Sequence, residues 1–280
     1  MRKISETEIT AFTKIVWSYY KKNGRHDLAW RLHTDPYSIV VSEIMLQQTQ
    51  VVRVQEYFDN WMKKFPTIQK LSNASLSDVL KQWQGLGYNR RGKYLHDIAK
   101  KITHEYGGIF PESGSDLRSL PGIGSYTESA IQAFSYNKPA TLIETNTRTA
   151  VIYHFFKEKK EVTDKEIESI LERCYKKGTK AFKQPREWNW ALMDYGSHLK
   201  KEVGNLNKKS KTYTRQSRFE GSSRQLRSQI LKYILEKPGS SEQEIIHASA
   251  GSRKQEIPHL LLTLKAEGMI MKKKRGWVVS

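Results

Sequence analysis

Leu120-Pro121-Gly122-Ile123-Gly124-Ser125-Tyr126-Thr127 decides how this chain is read, together with Ile143-Glu144-Thr145-Asn146-Thr147-Arg148, which closes the same stretch. A Pro-Gly-x-Gly turn between a short apolar approach and a new helical pattern leaves several backbone N–H groups unpaired and pointing outward, an arrangement suited to a phosphate. Glycine lets the chain turn tightly with nothing in the way of an approaching anion. Taken alone, the same residues are equally an ordinary interhelical turn. Downstream, after the apolar helix from Ala130 to Phe134, the polar cluster Glu-Thr-Asn-Thr-Arg adds the carboxylate of Glu144. A phosphate anchor beside a placed carboxylate is what cleavage of a nucleotide's glycosidic bond needs.

The 280 residues allow one large or two modest domains. A formal charge of +19 and a pI near 9.8 imply a polyanionic partner, nucleic acid first. A membrane surface is the other polyanion, but no run of about 18 or more apolar residues occurs. Met1-Arg2-Lys3-Ile4-Ser5-Glu6 has no signal-peptide core. The expected location is therefore the cytoplasm, in association with the nucleoid, with no membrane contact. The single cysteine, Cys174, excludes an internal disulfide and any four-cysteine zinc or iron–sulfur site within one chain.

Residues 7 to 22 read as a helix, with Ile9, Phe12, Ile15, Val16 and Tyr19 three and four apart. A basic turn (Lys21, Lys22, Gly24, Arg25) leads to Leu28-Ala29-Trp30-Arg31. Asp35-Pro36 opens a further helix, along which Val40, Ile44, Val51, Val54 and Phe58 repeat. Within it lies Ser42-Glu43-Ile44-Met45-Leu46-Gln47-Gln48-Thr49-Gln50, a carboxylate beside the buried face followed by uncharged amides.

That segment, with Gly85-Leu86-Gly87-Tyr88, Phe110-Pro111-Glu112, the Leu120–Gly124 turn and Met193-Asp194-Tyr195-Gly196, resembles the helix-hairpin-helix (HhH-GPD) DNA glycosylases, nearest to the MutY adenine-glycosylase branch. The likeness covers roughly residues 7 to 200, in the right order. It implies a mainly α, two-lobed helical fold over 1–199. It also implies a partner, double-stranded DNA carrying a mismatch or lesion, from which one nucleotide is flipped because its glycosidic bond cannot be reached inside the stack.

By the same resemblance, Leu46, Gln47, Gln48 and Thr49 form the loop that fills the gap, and Tyr88 is a second wedge. The hairpin of Gly122, Ile123, Gly124 and Ser125 would grip the DNA backbone through its amides, often with a monovalent cation in relatives. No metal ligated by side chains is expected. Arg31 and Arg148 are further DNA contacts, and Trp30 and Arg25 lie near the extruded base. Glu43, flanked by Val41 and Ile44, suits the general acid because burial raises a carboxyl pKa. Glu144 stands where relatives carry an aspartate that stabilises a sugar cation, as carboxylates do in glycosidases. Asn146 matches a residue that orients water and carboxylate. Tyr126 replaces the lysine that forms a Schiff base in strand-nicking relatives, which implies a monofunctional enzyme that leaves an abasic site.

Three departures from the pattern matter. Glu144 adds one methylene, roughly 1.5 Å, and displacements of about 1 Å in an active site can cost on the order of a hundredfold. Lys200 stands at the first position of the usual iron–sulfur loop and no cysteine follows, so no cluster and no other cofactor is expected. In its place runs a basic linker, 200–223, in which Lys208, Lys209 and Lys211 are expected to follow phosphates. Beyond it, 224–280 reads as three helices and a terminal β-hairpin, a winged-helix-like (α+β) domain, where full-length relatives carry a Nudix-like domain. It would bind duplex DNA or dock a protein. Three functional readings remain: excision of mispaired adenine, opposite 8-oxoguanine or guanine; the same chemistry on another base, such as T or U opposite G or a damaged purine; or a catalytically silent DNA-binding shell.

Overall fold

The computed structural model describes residues 4–215, 218–249 and 253–280. In chain order its helices are α1 (Glu6–Asn23), α2 (Pro36–Leu46), α3 (Val51–Lys64), α4 (Ile68–Ser72), α5 (Leu76–Trp83), α6 (Arg90–Glu105), α7 (Gly114–Arg118) and α8 (Ser125–Phe134). There follow α9 (Thr145–Phe155), α10 (Asp164–Cys174), α11 (Lys180–Lys183), α12 (Pro185–Val203), α13 (Ser223–Glu236), α14 (Glu242–Ala248) and α15 (Ile257–Ala266). The strands β1 (Ile270–Lys273) and β2 (Gly276–Val279) close the described chain. The mainly helical expectation holds. Among the described residues no helix is long and apolar enough to cross a membrane.

The chain divides into two compact units: Met1–Val40, Glu112–Ser119 and Ile123–Arg215 form the first, and Val41–Pro111, Leu120–Gly122 and Gln216–Ser280 the second. In the first unit, α1 starts on a capping box in which Ser5 and Glu8 satisfy each other's backbone amides. Its Ile9, Phe12, Val16 and Tyr20 are buried, close to the spacing the sequence predicts. They meet α9, α10 and α12 in one core around Trp188, with Ala150, Val151, Ile167 and Leu192. The helices α9 and α12 approach so closely that a Cβ on Gly196 would lie 1.9 Å from the Asn146 carbonyl oxygen.

Of the stretch 200–223 expected as a basic linker, the part through Lys211 is anchored to the first unit, and Gln216 and Ser217 lie outside the described residues. Its first residues continue α12, and Val162 then pairs with the next segment: Val162 N–H donates to the Lys209 carbonyl (2.8 Å) and Lys211 N–H to the Val162 carbonyl (3.0 Å). Buried Asn207 donates to the Thr145 carbonyl (2.9 Å) and Thr149 Oγ1 (3.0 Å), tying the segment to α9. A run of lysines hid these few anchoring residues, because charge frequency says nothing about which polar groups find buried partners.

In the second unit, Trp61, Trp83, Phe58 and Leu95 are buried between α3, α5 and α6. The single helix expected from Asp35-Pro36 through Phe58 is two: α2 ends at Leu46, α3 begins at Val51, and Gln48 between them has φ +56°. The reason is tertiary, since the carbonyls that would carry the helix onward are taken by Arg91 from α6. The C-terminal part of the unit forms three helices as predicted, α14 opening on a capping box of Ser241 and Glu244. Its two strands pair antiparallel, Ile270 opposite Val279 and Lys273 opposite Gly276, and Ser240 bridges to Trp277. Leu226, Ile230, Ile234, Leu261 and Trp277 share a core with Leu76 and Leu80 of α5, so this part is packed on the preceding helices.

Gly196→Ala forces a methyl against the Asn146 backbone at the start of α9. Overpacking of this kind costs roughly 1–3 kcal/mol, and urea unfolding should show a lower midpoint with an unchanged slope.

Candidate functional site

One buried cation organises the second unit's share of the expected site. Arg91, the second residue of α6, is 6% exposed. Its Nη1 donates to the carbonyls of Ile44 (2.8 Å), Met45 (3.0 Å) and Gln47 (2.5 Å). Its Nη2 donates to the carbonyls of Leu86 (3.0 Å) and Gly87 (3.1 Å) and to Thr49 Oγ1 (3.2 Å). The guanidinium also lies 5.4 Å from the Trp83 ring centroid and 5.5 Å from that of Tyr88. Burial pushes its pKa down to about 10, which leaves it charged at neutral pH. Carbonyl dipoles therefore carry the solvation of this charge.

Two segments far apart in sequence are thereby locked together. One is the loop from Leu46 to Thr49; the other is the turn from Gly85 to Tyr88. Gly85 (φ +95°) and Gly87 (φ +73°) need left-handed backbone, and a Cβ on Gly85 would sit 2.0 Å from the Tyr57 hydroxyl. Trp83 Nε1 donates to the Gly87 carbonyl at 3.1 Å, completing the turn. Gln48 (φ +56°) and Tyr88 (φ +47°) adopt the same conformation without being glycine, which costs roughly 1–2 kcal/mol each. Both side chains are presented outward, Gln48 exposed and Tyr88 37% exposed. On α2, one residue before the Ile44 carbonyl that Arg91 holds, Glu43 is buried at 7% exposure.

The Leu120–Ser125 turn also takes the expected shape. Gly122 has φ +75°, and a Cβ there would lie 2.4 Å from the Tyr94 ring. Gly124 is the N-cap of α8 and makes no side-chain cap hydrogen bond. Ser125 is exposed, Ile123 is buried and Tyr126 is half-buried on the first turn of α8.

In the first unit Glu144 is itself a helix cap. Its Oε1 accepts from the backbone N–H groups of Asn146 and Thr147 (2.8 Å each) at the start of α9, and its Oε2 accepts from Asn146 Nδ2 at 3.2 Å. The side chain is thereby folded back on its own helix. Burial pushes the Glu144 carboxyl up from its ordinary range, against the opposing pull of those two amides, the Thr147 hydroxyl and Arg148. The loop leading to it is fixed by Asn189 and Tyr175, both donating to the Ala140 carbonyl (3.1 and 3.0 Å). Arg186 secures the end of α8 through the carbonyls of Phe134 and Ser135.

Several expected DNA-facing residues are occupied elsewhere. Arg31 is 8% exposed and forms a bidentate pair with Asp194 (2.8 and 2.9 Å), with its guanidinium 5.2 Å from the Trp190 ring centroid. Arg25 joins the same carboxylate through its backbone N–H (2.9 Å) and Nε (2.7 Å), and Trp30 is buried. Burial would raise the Asp194 carboxyl, but Arg31 and Arg25 hold it below its ordinary range. Arg148 pairs with Asp164 (2.9 and 2.8 Å), and the Lys209 ammonium donates to the Lys157 carbonyl. These cations are structural, whereas Lys208 and Lys211 stay exposed. Sequence reading assigned no role to Arg91 or Asp194. Asp194 lay inside a quoted motif, but Arg91 looked like one more surface charge beside Arg90.

Among the described residues no group of three or more His, Cys, Asp or Glu side chains could hold a metal ion. Residues 41–177 match the family described as "HhH-GPD superfamily base excision DNA repair protein". An adenine DNA glycosylase of Buchnera aphidicola (subspecies Baizongia pistaciae) is 34% identical over 186 residues, 66% of this chain and 52% of its own length. The adenine DNA glycosylase of Homo sapiens is 40% identical over 148 residues, 50% of this chain and 27% of its own. The chain thus spans about half the length of the bacterial relatives it matches. Among solved structures, a thermostable thymine-DNA glycosylase superposes with a TM-score of 0.59 at 22% identity, over 68% of this chain and 87% of that one. The likeness is one of fold.

Arg91→Lys tests the hub. Three ammonium donors cannot serve six acceptors, and each buried acceptor left unpaired costs about 1–3 kcal/mol. Chemical denaturation should show a loss of roughly 3 kcal/mol or more, and amide exchange should quicken in 44–49 and 85–89 together.

Proposed function

We propose that this chain, whose residues 41–177 belong to the HhH-GPD superfamily of base excision DNA repair proteins, is a monofunctional DNA N-glycosylase that removes a mispaired adenine and leaves an abasic site. The observation that carries this reading is the pair of left-handed residues, Gln48 and Tyr88, clamped by one buried arginine. Strained backbone persists only where its surroundings enforce it, and it concentrates where geometry must be set in advance of a ligand. Here it presents an amide and a phenol, suited to replace an extruded base within a duplex at an unstacking cost of about a few kcal/mol. The relatives that share the sequence are adenine glycosylases, which favours adenine, opposite 8-oxoguanine or guanine.

In this reading Glu43 is the acid. It gives its proton to a ring nitrogen of the flipped adenine, the C1′–N9 bond breaks with its electron pair leaving on the base, and positive charge develops on the sugar. Glu144, as carboxylate, stabilises that cation, with Asn146 and the α9 amides fixing its orientation. Water adds at C1′ and loses a proton. Tyr126 offers no amine for a Schiff base, so strand cleavage does not accompany base release. Backbone amides of the hairpin and of the α8 N-terminus hold a phosphate and position the strand without reading its sequence. Three helices, a basic hairpin turn from Lys272 to Arg275 and the Ser240–Trp277 bridge support a winged-helix-like reading of the C-terminal part.

Duplexes carrying A opposite 8-oxoguanine, A opposite G, T opposite G and U opposite G, heated in alkali after incubation, test the substrate. Cleavage at adenine is expected; cleavage only at the pyrimidines would refute the assignment of the base, and tight binding without release of any base the assignment of an enzyme. Glu43→Gln should lower single-turnover base release by on the order of a hundred- to ten-thousandfold. Glu144→Gln should abolish release while keeping the α9 cap and the melting temperature. Because the raised Glu144 pKa must be passed before the carboxylate exists, the acid limb of the rate profile should lie above the ordinary carboxyl range. The stability contribution runs the other way: the folded state holds this proton more tightly, so that stability falls as pH rises through the same window.

A further inference from the structure

Tyr88 touches more than the lobe that builds its turn. Arg224, in the first turn of α13, donates from Nη1 to the Tyr88 hydroxyl, and its guanidinium lies 5.4 Å from the ring centroid, matching the 5.5 Å of Arg91. The ring thus has two guanidiniums beside it, one from α6, the helix that follows its turn, and one from the C-terminal helices. Each is within reach of a favourable cation–π contact.

The C-terminal helices are anchored where that contact requires. Leu76 and Leu80 of α5 share the core of α13 and α15. Glu267, just after α15, receives Arg227 of α13 (2.6 and 3.1 Å) and also Arg90 of α6. Burial would raise the Glu267 carboxyl, but these two arginines hold it below its ordinary range. Neighbouring residues at the start of α6 therefore face two ways: Arg91 locks the turn of Tyr88, and Arg90 ties the same helix end to the C-terminal helices. Arg91 lies against the ring of Tyr88, and Arg224 donates to its hydroxyl.

We propose that Arg224 is a positioning residue for Tyr88, and that the C-terminal helices are part of the base-extrusion machinery, holding the wedge ring in its inserting orientation before DNA arrives. The role of Tyr88 as a wedge rests on the glycosylase reading above; the hold on the ring does not.

The full chain and its Arg224→Gln, Arg224→Lys and Tyr88→Phe variants are compared in two measurements. In the free protein, amide exchange over 85–90 should accelerate several-fold in Arg224→Gln and in Tyr88→Phe, and Arg224→Lys should restore much of the protection. With a duplex carrying 2-aminopurine in place of the target adenine, the fluorescence rise on extrusion should fall about three- to tenfold in Arg224→Gln, the range expected for loss of one such contact. Tyr88→Phe, which keeps the ring and loses only the hydroxyl acceptor, should fall less, and adding it to Arg224→Gln should lower the signal no further, because Arg224→Gln already removes that hydrogen bond. Unchanged exchange in both single variants overturns the hold. Uniform weakening on every duplex, with the salt slope lower by about one and extrusion unaffected, reassigns Arg224 to a phosphate and also overturns it. A wild-type chain that extrudes no base while exchange still responds refutes the wedge role and leaves only the contact.

Discussion

A single guanidinium, with no carboxylate partner among the described residues, holds the 44–49 loop and the 85–88 turn of this protein in place. Arg91 is charged, buried and surrounded by carbonyls, and its two nitrogens divide their donors between the 44–49 loop and the 85–88 turn. An acidic partner would have drawn the cation into an ion pair and left those carbonyls without a donor. With none, the solvation the charge lost in folding is recovered only if both backbone segments stay where they are. The left-handed conformations of Gln48 and Tyr88 follow, since the same bonds that stabilise the arginine oppose relaxation of the strained residues.

The first unit solves a related problem with carboxylates. Asp194 gathers Arg31 and Arg25 in the interior and joins α12 to the segment after α1. Glu144 closes the exposed amides of α9, so the carboxylate proposed to face a sugar cation is held by the helix it begins. A cap of this type restricts rotation of the side chain, and partial burial works against ionisation at the same time. Both features suit a group that must be fixed and poised. The net charge of +19 therefore divides in two. Buried or paired arginines build the fold, and exposed lysines such as Lys208 and Lys211 supply the field that a polyanion meets.

The segment after α12 is fastened to the first unit by a few contacts. Where the resemblance leads one to expect a cluster loop, Asn207 and a short backbone bridge to Val162 fasten the chain to α9. Beyond it, the C-terminal helices join the second unit through Leu76, Leu80 and Glu267, so they act as part of that unit and not as a tethered module.

The sequence by itself determined the helices whose signals are local: the capping boxes at Ser5 and Ser241, the apolar spacing of α1, α13 and α15, and the terminal hairpin. It also carried the resemblance to the HhH-GPD glycosylases, through the Glu43–Gln50 segment and the Pro121–Gly124 turn, and residues 41–177 match that family. Only the tertiary structure decided where α2 stops, which arginines are held in ion pairs and that the lysine-rich segment from Asn207 to Lys211 is anchored on Val162 and α9. Arg31, Arg91 and Arg148 look alike as letters; their roles differ because the first meets Asp194, the third meets Asp164 and the second meets backbone carbonyls, the Thr49 hydroxyl and two aromatic rings. Periodicity and capping are written within a few residues of each other, whereas the partner of a buried charge is chosen by contacts between segments tens of residues apart.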